Sequence, residues 1–372
     1  LLIRNIDTYP LYYSIAQPYG DANGIKSYRT AFYIRITTDS GIDGWGECID
    51  WLPTLQKGFD ERIIPFLIGK KATERTRLVQ TVAKWHSRAA SAVSMALTEI
   101  FAKSCGISIC DLWGGKLRDT VLVYASFQSY SEHSDWRKQS LHAIEEAVQT
   151  GFEHIKLKIG GKPLKEDQKH IREAQSLLQG EVKIALDANG SYDLSTACRW
   201  NPEFEQFSNI MWLEEPLPIQ QTFNYGLLRQ RLALPIAGGE DMKLASDFLP
   251  LLTHQSLDIV TPDMLHLTGM DEYWAVLSMA NCYGVRTSPH AYDGALTRLY
   301  AMFAQACLVP WSKMKPEQVD PVEWDVMDNP FTELIPLRPW QGEVAIPDGT
   351  GIGVDLDMEK LHYYKWDGSS YE

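Results

Sequence analysis

HIKLKIG at residues 154–160 and VKIALDAN at 182–189 are short apolar runs, each followed by polar residues and then a helix-sized segment. The pattern begins upstream with VLVYASF (121–127). It continues through IMWLEEP (210–216), PIAGGE (235–240), LDIVTPD (257–263), GVRTSPH (284–290) and PVEWDV (321–326). Strands alternating with helix-sized connections predict a parallel sheet, and eight of them predict its closure as a (β/α) barrel. An open doubly wound sheet is the competing arrangement. No GxGxxG follows the first run, so a dinucleotide-binding fold has no local support.

Upstream of residue 119 the rhythm differs. Thr30–Thr38 (TAFYIRITT) is rich in β-branched and aromatic residues and precedes a turn at Asp39-Ser40-Gly41, so it reads as a strand before GWGEC. Glu74–Lys103 reads as helix, with Ser91, Ala92, Met95, Ala96, Leu97, Ile100 and Phe101 at helical spacing and an end near Cys105-Gly106. The expected organisation is an α+β module over 1–118, the barrel over 119–328, and a segment over 329–372 that packs back on the first module.

The 372 residues suffice for about two domains, and 45% apolar with 22% charged residues is an ordinary globular composition. Thirty-five basic against 48 acidic side chains leave a formal net charge of −13. Without a Lys/Arg run, that charge argues against nucleic acid and anionic membranes as partners. No apolar stretch reaches the roughly 18 residues of a membrane span, and the opening LLIRNIDTYPLYYS lacks a secretory-leader pattern. A cytoplasmic location is expected, and because the chain begins at Leu1 rather than Met, a residue or two before it is expected as well. Cys48, Cys105, Cys110, Cys198, Cys282 and Cys307 show no CxxC spacing; they read as small buried apolar residues in a reducing compartment, not a zinc site.

Catalytic side chains of such barrels come from the C-terminal ends of strands. Those ends carry Lys156 and Lys158, Asp187 and Asn189, Glu214 with Glu215, Glu240, Asp263, His290, and Glu323 with Asp325. Asp187, Glu214 and Glu240 would converge on one side of the barrel mouth. Three anionic oxygen ligands repel one another without a cation and suit an octahedral, oxygen-seeking ion such as Mg2+ better than zinc. The alternative is that each acid caps a helix or pairs with a lysine. Successive strand residues point to opposite faces, so only one of Glu214 and Glu215 can face the mouth, and the residues alone do not say which. Lys156 and Lys158 project the same way, and two partly desolvated ammonium groups are expected to lower each other's pKa, as a general base requires. The bland alternative is that they neutralise the neighbouring acids. Asp263 can fix the tautomer of His290 and leave its other nitrogen free to exchange protons. A loop from Gln17 to Tyr28 and the segment Asp50-Trp51-Leu52 are expected to close over the mouth, with Tyr19, Asn23, Lys26 and Trp51 as substrate contacts suited to a polyhydroxylated or diacid substrate.

Taken together, these residues resemble the enolase superfamily, and within it the mandelate racemase/muconate lactonizing enzyme family, specifically the mandelate racemase group. The resemblance rests on WGE at Glu47, ASAVSMALTEI (Ala90–Ile100), DLWGGKLRDTVLVYAS, the KxK of Lys156 and Lys158, DAN at Asp187, WLEEP at Glu214, GGE at Glu240, PD at Asp263, PH at His290 and IPDGTGIGVDLD near the end. It implies an α/β fold: a modified TIM barrel, (β/α)7β, with an α+β N-terminal capping domain completed by the C-terminal tail. It implies one Mg2+ on Asp187, Glu214 and Glu240, which favours Glu214 over Glu215. It further implies abstraction of the proton α to a carboxylate, with Lys158 as base on one face and the His290–Asp263 dyad on the other. Lys156 and Asn189 would contact the substrate carboxylate or the developing enolate, and Glu323 would bond that carboxylate. The dyad, and Glu rather than Asp at 240, argue against the muconate-lactonizing and dipeptide-epimerase group. The expected reaction is dehydration of an acid sugar to a 2-keto-3-deoxy acid by a homo-oligomeric enzyme. Racemisation or epimerisation of a 2-hydroxy acid is the alternative. A sugar-acid binding protein without turnover and a lysine Schiff-base aldolase remain as further alternatives.

Overall fold

The computed structural model describes residues 1–313 and 319–371. A three-stranded antiparallel sheet opens the chain, with β1 (Ile3–Asp21), β2 (Gly24–Thr38) and β3 (Asp43–Cys48) in that order. It is followed by α1 (Leu52–Gly58), α2 (Ile64–Leu67), α3 (Arg75–Ala83), α4 (Ser87–Cys105) and α5 (Ile109–Leu112). The single helix expected over Glu74–Lys103 is therefore two. The turn between them ends at His86, whose ring accepts from the Ala89 N–H and restarts the helix as an N-cap. Residues 17–28, expected as a loop, are the arms and tip of the β1–β2 hairpin, with Tyr19 opposite Lys26 and Asp21 opposite Gly24. The sheet lies directly on α4: a Cβ on Gly46 would come within 1.9 Å of the Ala92 carbonyl, so only glycine permits that approach.

All eight apolar runs are strands: β4 (Thr120–Ser126), β5 (His154–Lys158), β6 (Lys183–Asp187), β7 (Ile210–Glu214), β8 (Ile236–Gly238), β9 (Ile259–Val260), β10 (Arg286–Thr287) and β11 (Val322–Asp325). They form a curled parallel sheet in the order β10-β9-β8-β7-β6-β5-β4-β11. The connections hold α6 (Trp136–Gln149), α7 (Leu164–Leu178), α8 (Leu194–Cys198), α9 (Asn201–Gln206), α10 (Thr222–Arg231), α11 (Ala245–Thr253), α12 (Met270–Tyr283) and α13 (Ala295–Cys307). Among the described residues β10 and β11 share no backbone ladder, and side chains close the gap. Gln305 donates to the Thr287 and Asp320 carbonyls (2.7 and 2.9 Å), Ser288 donates to the Pro321 carbonyl, and Arg286 pairs with Asp320. Past the barrel, β12 (Glu343–Ala345) pairs antiparallel with the start of β4, and α14 (Met358–Tyr363) and Trp366 lie against β1.

Strand period decides which side chains fill the interior. Ile155, Leu157, Ile184, Leu186, Leu213 and Ile236 face the helices, within the main core. Tyr124, Ala185, Trp212, Ala237 and Ile259 form a separate buried cluster inside the barrel. Two residues further along β4, β6 and β7 the same inward face becomes polar, at Ser126, Asp187 and Glu214. The cysteines divide differently from expectation: Cys48, Cys110 and Cys307 are buried, but Cys105 and Cys282 are exposed near the ends of α4 and α12. Among the described residues no helix is long and apolar enough to cross a membrane.

Glu47 joins the two layers. From β3 its carboxylate accepts the Leu296 and Thr297 N–H groups (2.8 and 3.3 Å) in the first turn of α13. Burial pushes its pKa up to about 7, against the lowering effect of its hydrogen bonds. A carboxyl whose folded pKa is raised favours the protonated state. Its contribution to stability is complete below the unfolded value near 4.5 and is lost as pH rises through about 7. Denaturant unfolding of the metal-free protein and of Glu47→Gln at pH 5 and pH 8 checks this. The variant is expected to gain on the parent at the higher pH, by up to about 3 kcal/mol; an unchanged difference would show that Glu47 ionises normally.

Candidate active site

The ladder of the parallel sheet aligns the acids. Lys158 pairs with Asp187 across β5 and β6, and Asp187 with Glu214 across β6 and β7, so all three project from one level of the barrel. Trp212 is inside, so Glu214, two residues on, is inside as well, and its Oε2 accepts from the Trp212 indole N–H at 3.0 Å. Glu215 points the other way and accepts from the Gly239 N–H. Glu240 arrives from the loop after β8. Oxygens of Asp187, Glu214 and Glu240 lie within 4.8 Å of one another.

Lys158 Nζ stands 2.6 Å from Asp187 Oδ2. Lys156 Nζ lies 2.8 Å from Glu323 Oε1, 3.3 Å from Glu214 and 3.5 Å from Asp187. Ser126 and the Ala291 N–H donate to the two oxygens of Glu323. The Asn189 backbone N–H donates to Asp187, and its amide reaches Glu240 Oε1 at 3.4 Å. On the far side, His290 Nδ1 meets Asp263 Oδ2 at 2.7 Å, while Leu265 N–H and the Thr297 hydroxyl hold Asp263 Oδ1. His290 Nε2 faces Glu240 (3.4 Å) and Glu323 (3.6 Å). The strand order therefore places Lys158 on β5 and the Asp263–His290 pair at β9 and β10, on either side of the acids at β6, β7 and β8.

The electrostatics reverse one expectation. Lys156 and Lys158 were expected to depress each other, and burial does oppose their charge. The surrounding acids outweigh both effects, Asp187 foremost at Lys158 and Glu214 and Glu323 at Lys156, so both pKa values are raised. Burial likewise opposes a charged His290, but Glu240, Glu323 and Asp263 raise it well above its ordinary value. Burial pushes Glu214 up to about 7, and neighbouring Asp187 and Glu240 add to the rise. Glu240 is raised by burial and by Asp187. Five carboxylates (Asp187, Glu214, Glu240, Asp263, Glu323) thus face two ammonium groups and one imidazole.

That surplus of negative charge is what a divalent cation would offset, and the donors are hard oxygens. Glu240 Oε2 and Asn189 Oδ1 are buried without a hydrogen-bond partner among the described residues. The residues present fit Mg2+ on Asp187, Glu214 and Glu240.

The expected cap contacts divide. Lys26 reaches the rim, 3.7 Å from Asp293 and over the Tyr292 ring. Asn23 is exposed at the hairpin tip, its N–H donating to Asp21. Tyr19 is buried, donating to the Asp328 carbonyl and accepting from Arg29. Trp51 packs on Tyr371, with ring centroids 4.4 Å apart, and makes no ring contact or hydrogen bond with the acid cluster. Three groups escaped the sequence reading. Asp21 acts on the Lys158 charge from the hairpin. Arg29, only 4% exposed, ties the hairpin to Asp293 and Asp325. A second histidine–carboxylate pair, His266 with Asp241, sits beside the first. No periodicity marks them, because their partners lie in other strands and loops.

Comparison with known proteins agrees with this geometry. The family description "Enolase C-terminal domain-like" matches residues 139–360, and "Mandelate racemase / muconate lactonizing enzyme, N-terminal domain" matches residues 12–114. Arabinonate dehydratase of Saccharolobus solfataricus is 30% identical over 98% of this chain and 99% of that protein. D-galactarolactone cycloisomerase of Agrobacterium fabrum is 26% identical over 98% of each. The crystal structure of 3,6-anhydro-D-galactonate cycloisomerase from Zobellia galactanivorans superimposes with a TM-score of 0.85 at 25% identity, covering 99% of this chain and 100% of that one.

Calorimetric unfolding tests the cation site. Mg2+ at about 100 times its Kd is expected to stabilise the protein by about 2.7 kcal/mol. Glu240→Gln, which keeps the shape and removes one charge, is expected to lose most of that gain. An equal gain in the variant would place the cation elsewhere.

Proposed function

The chain belongs to the mandelate racemase/muconate lactonizing enzyme family of the enolase superfamily, and from that premise we propose that it dehydrates an acid sugar to a 2-keto-3-deoxy acid. Relatives named arabinonate, D-xylonate and D-galactonate dehydratase, 30%, 25% and 26% identical, support the substrate class. The placement of Lys158 and His290 on opposite sides of the three acids supports removal of the α-proton, and the names of the relatives carry the choice of dehydration.

A proton on carbon next to a carboxylate is far less acidic than any side-chain base, so its removal needs stabilising charge already in place. Members of the superfamily bind Mg2+, which when bound at Asp187, Glu214 and Glu240 supplies that charge as a Lewis acid. Lys158 Nζ, 2.6 Å from Asp187 Oδ2, would take or return a proton on one face of the substrate carbon. His290 Nε2 serves the other face. Asp263 holds His290 Nδ1 and so fixes which nitrogen exchanges protons. Lys156, anchored by Glu323, directs a fixed positive charge at the substrate carboxylate. Asn189, whose amide Nδ2 reaches Glu240 at 3.4 Å, has a second N–H with which to donate to that group. Two opposed bases also suit inversion at C2; the dehydratase reading is preferred because of the named relatives.

Incubating acid sugars with Mg2+ and measuring 2-keto-3-deoxy acid is the direct test. At least one acid sugar is expected to yield the keto acid, and formation of only the C2 epimer would favour racemisation. Lys158→Ala and His290→Asn are each expected to reduce turnover by about 10²- to 10⁴-fold. Wild-type-like turnover in both variants would remove the proposed bases from the mechanism.

A further inference from the structure

Each of the three acids stands at a sharp turn of the backbone. Asn189 (φ +45°) and Gly190 (+72°) follow Asp187, Glu215 (+36°) follows Glu214, and Gly239 (+116°) precedes Glu240. Left-handed backbone suits glycine and tolerates asparagine. A glutamate there costs about 1–3 kcal/mol and is kept only where its surroundings hold it. At position 215 they do. The Glu215 N–H donates to the Ala237 carbonyl of β8 at 3.0 Å, and its carbonyl accepts the Gly190 N–H at 2.6 Å. Its side chain, 5% exposed, points away from the interior that Glu214 faces, and its Oε1 accepts the Gly239 N–H at 2.9 Å. It also lies close along that backbone, since a Cβ on Gly238 would come within 3.3 Å of Glu215 Cγ.

Glu215 is thus joined to all three segments that carry the acids. It is the covalent neighbour of Glu214. Through Gly190 it fixes the turn from which the Asn189 N–H holds Asp187 Oδ1 at 3.0 Å. Through Gly239 it fixes the peptide immediately before Glu240. We propose that Glu215 is a positioning residue for the cation: it sets the spacing of the Asp187, Glu214 and Glu240 oxygens and touches neither ion nor substrate. What the role requires is an acceptor at the reach of a glutamyl side chain, not its charge. Mg2+ demands near-octahedral bonds of about 2.0–2.1 Å, whereas Ca2+ takes bonds of about 2.3–2.6 Å in a more adaptable geometry. Fixed spacing therefore matters more to Mg2+ than to Ca2+. The assignment rests on the cation reading above and holds whichever reaction follows.

Titration calorimetry of the metal-free protein with Mg2+ and with Ca2+ tests it. Glu215→Gln, which keeps the acceptor and its reach, is expected to bind Mg2+ nearly as the parent does. Glu215→Asp, which keeps the charge and shortens the reach, is expected to bind Mg2+ about 10- to 100-fold more weakly and to lose less affinity for Ca2+. Glu215→Met, of similar length without an acceptor, takes its place if Glu215→Asp does not fold, with the same expected losses. Parent-like Mg2+ affinity in Glu215→Asp or Glu215→Met overturns the assignment, as does an equal loss in Glu215→Gln or an equal loss for both ions. Failure of both Glu215→Asp and Glu215→Met to fold beside a folded Glu215→Gln also overturns it, because the residue would then support the barrel and not the cation. A parent protein that binds no Mg2+ would instead overturn the cation site itself.

Discussion

The repulsion among three buried carboxylates within 4.8 Å of one another governs the rest of the barrel mouth. At an effective dielectric of about 20, each pair of unit charges at that separation costs about 3–4 kcal/mol. A protein keeps such a cluster only if something offsets it. Lys156 and Lys158 offset part, each lodged against the acids rather than held away from them. The indole of Trp212 and the backbone of Asn189 supply neutral donors. The remaining charge is what a divalent ion would balance, and the same ion would make a carbanion beside a substrate carboxylate accessible. Stability and chemistry therefore place the same demand on one small region.

The barrel was legible because its strands are short, apolar and evenly interrupted, and because period two fixes which residues face inward. All eight runs are strands. The choice between Glu214 and Glu215 was not settled by their own residues; it follows from the inward position of Trp212 and the ladder to Asp187, which only the sheet register displays. The lysines show the limit of local reasoning most sharply. Two ammonium groups on one strand should lower each other's pKa, yet acids from β6, β7 and β11 reverse the sign, and sequence spacing does not reveal who those neighbours are.

The cap was less legible for the same reason. Residues 17–28 carry turn-forming types and read as a loop, but strand pairing extends nearly to the tip. Tyr19 looks like a ligand contact in isolation; in the fold its hydroxyl bridges Arg29 and Asp328. Arg29 reads as an ordinary strand residue. In the fold its guanidinium joins the hairpin to Asp325, two residues past Glu323, and to Asp293, three past His290. The cap is thus tied to Asp293 and Asp325 near the histidine, while the Gly20–Tyr130 backbone pair ties it to the segment after β4.

The most direct measurement of the central claim is a crystal structure with Mn2+ in place of Mg2+, located by its anomalous scattering. The account requires one ion per chain, bound by oxygens of Asp187, Glu214 and Glu240, with Lys158 and His290 on opposite sides of it. An ion bound elsewhere, or both bases on the same side, would contradict it.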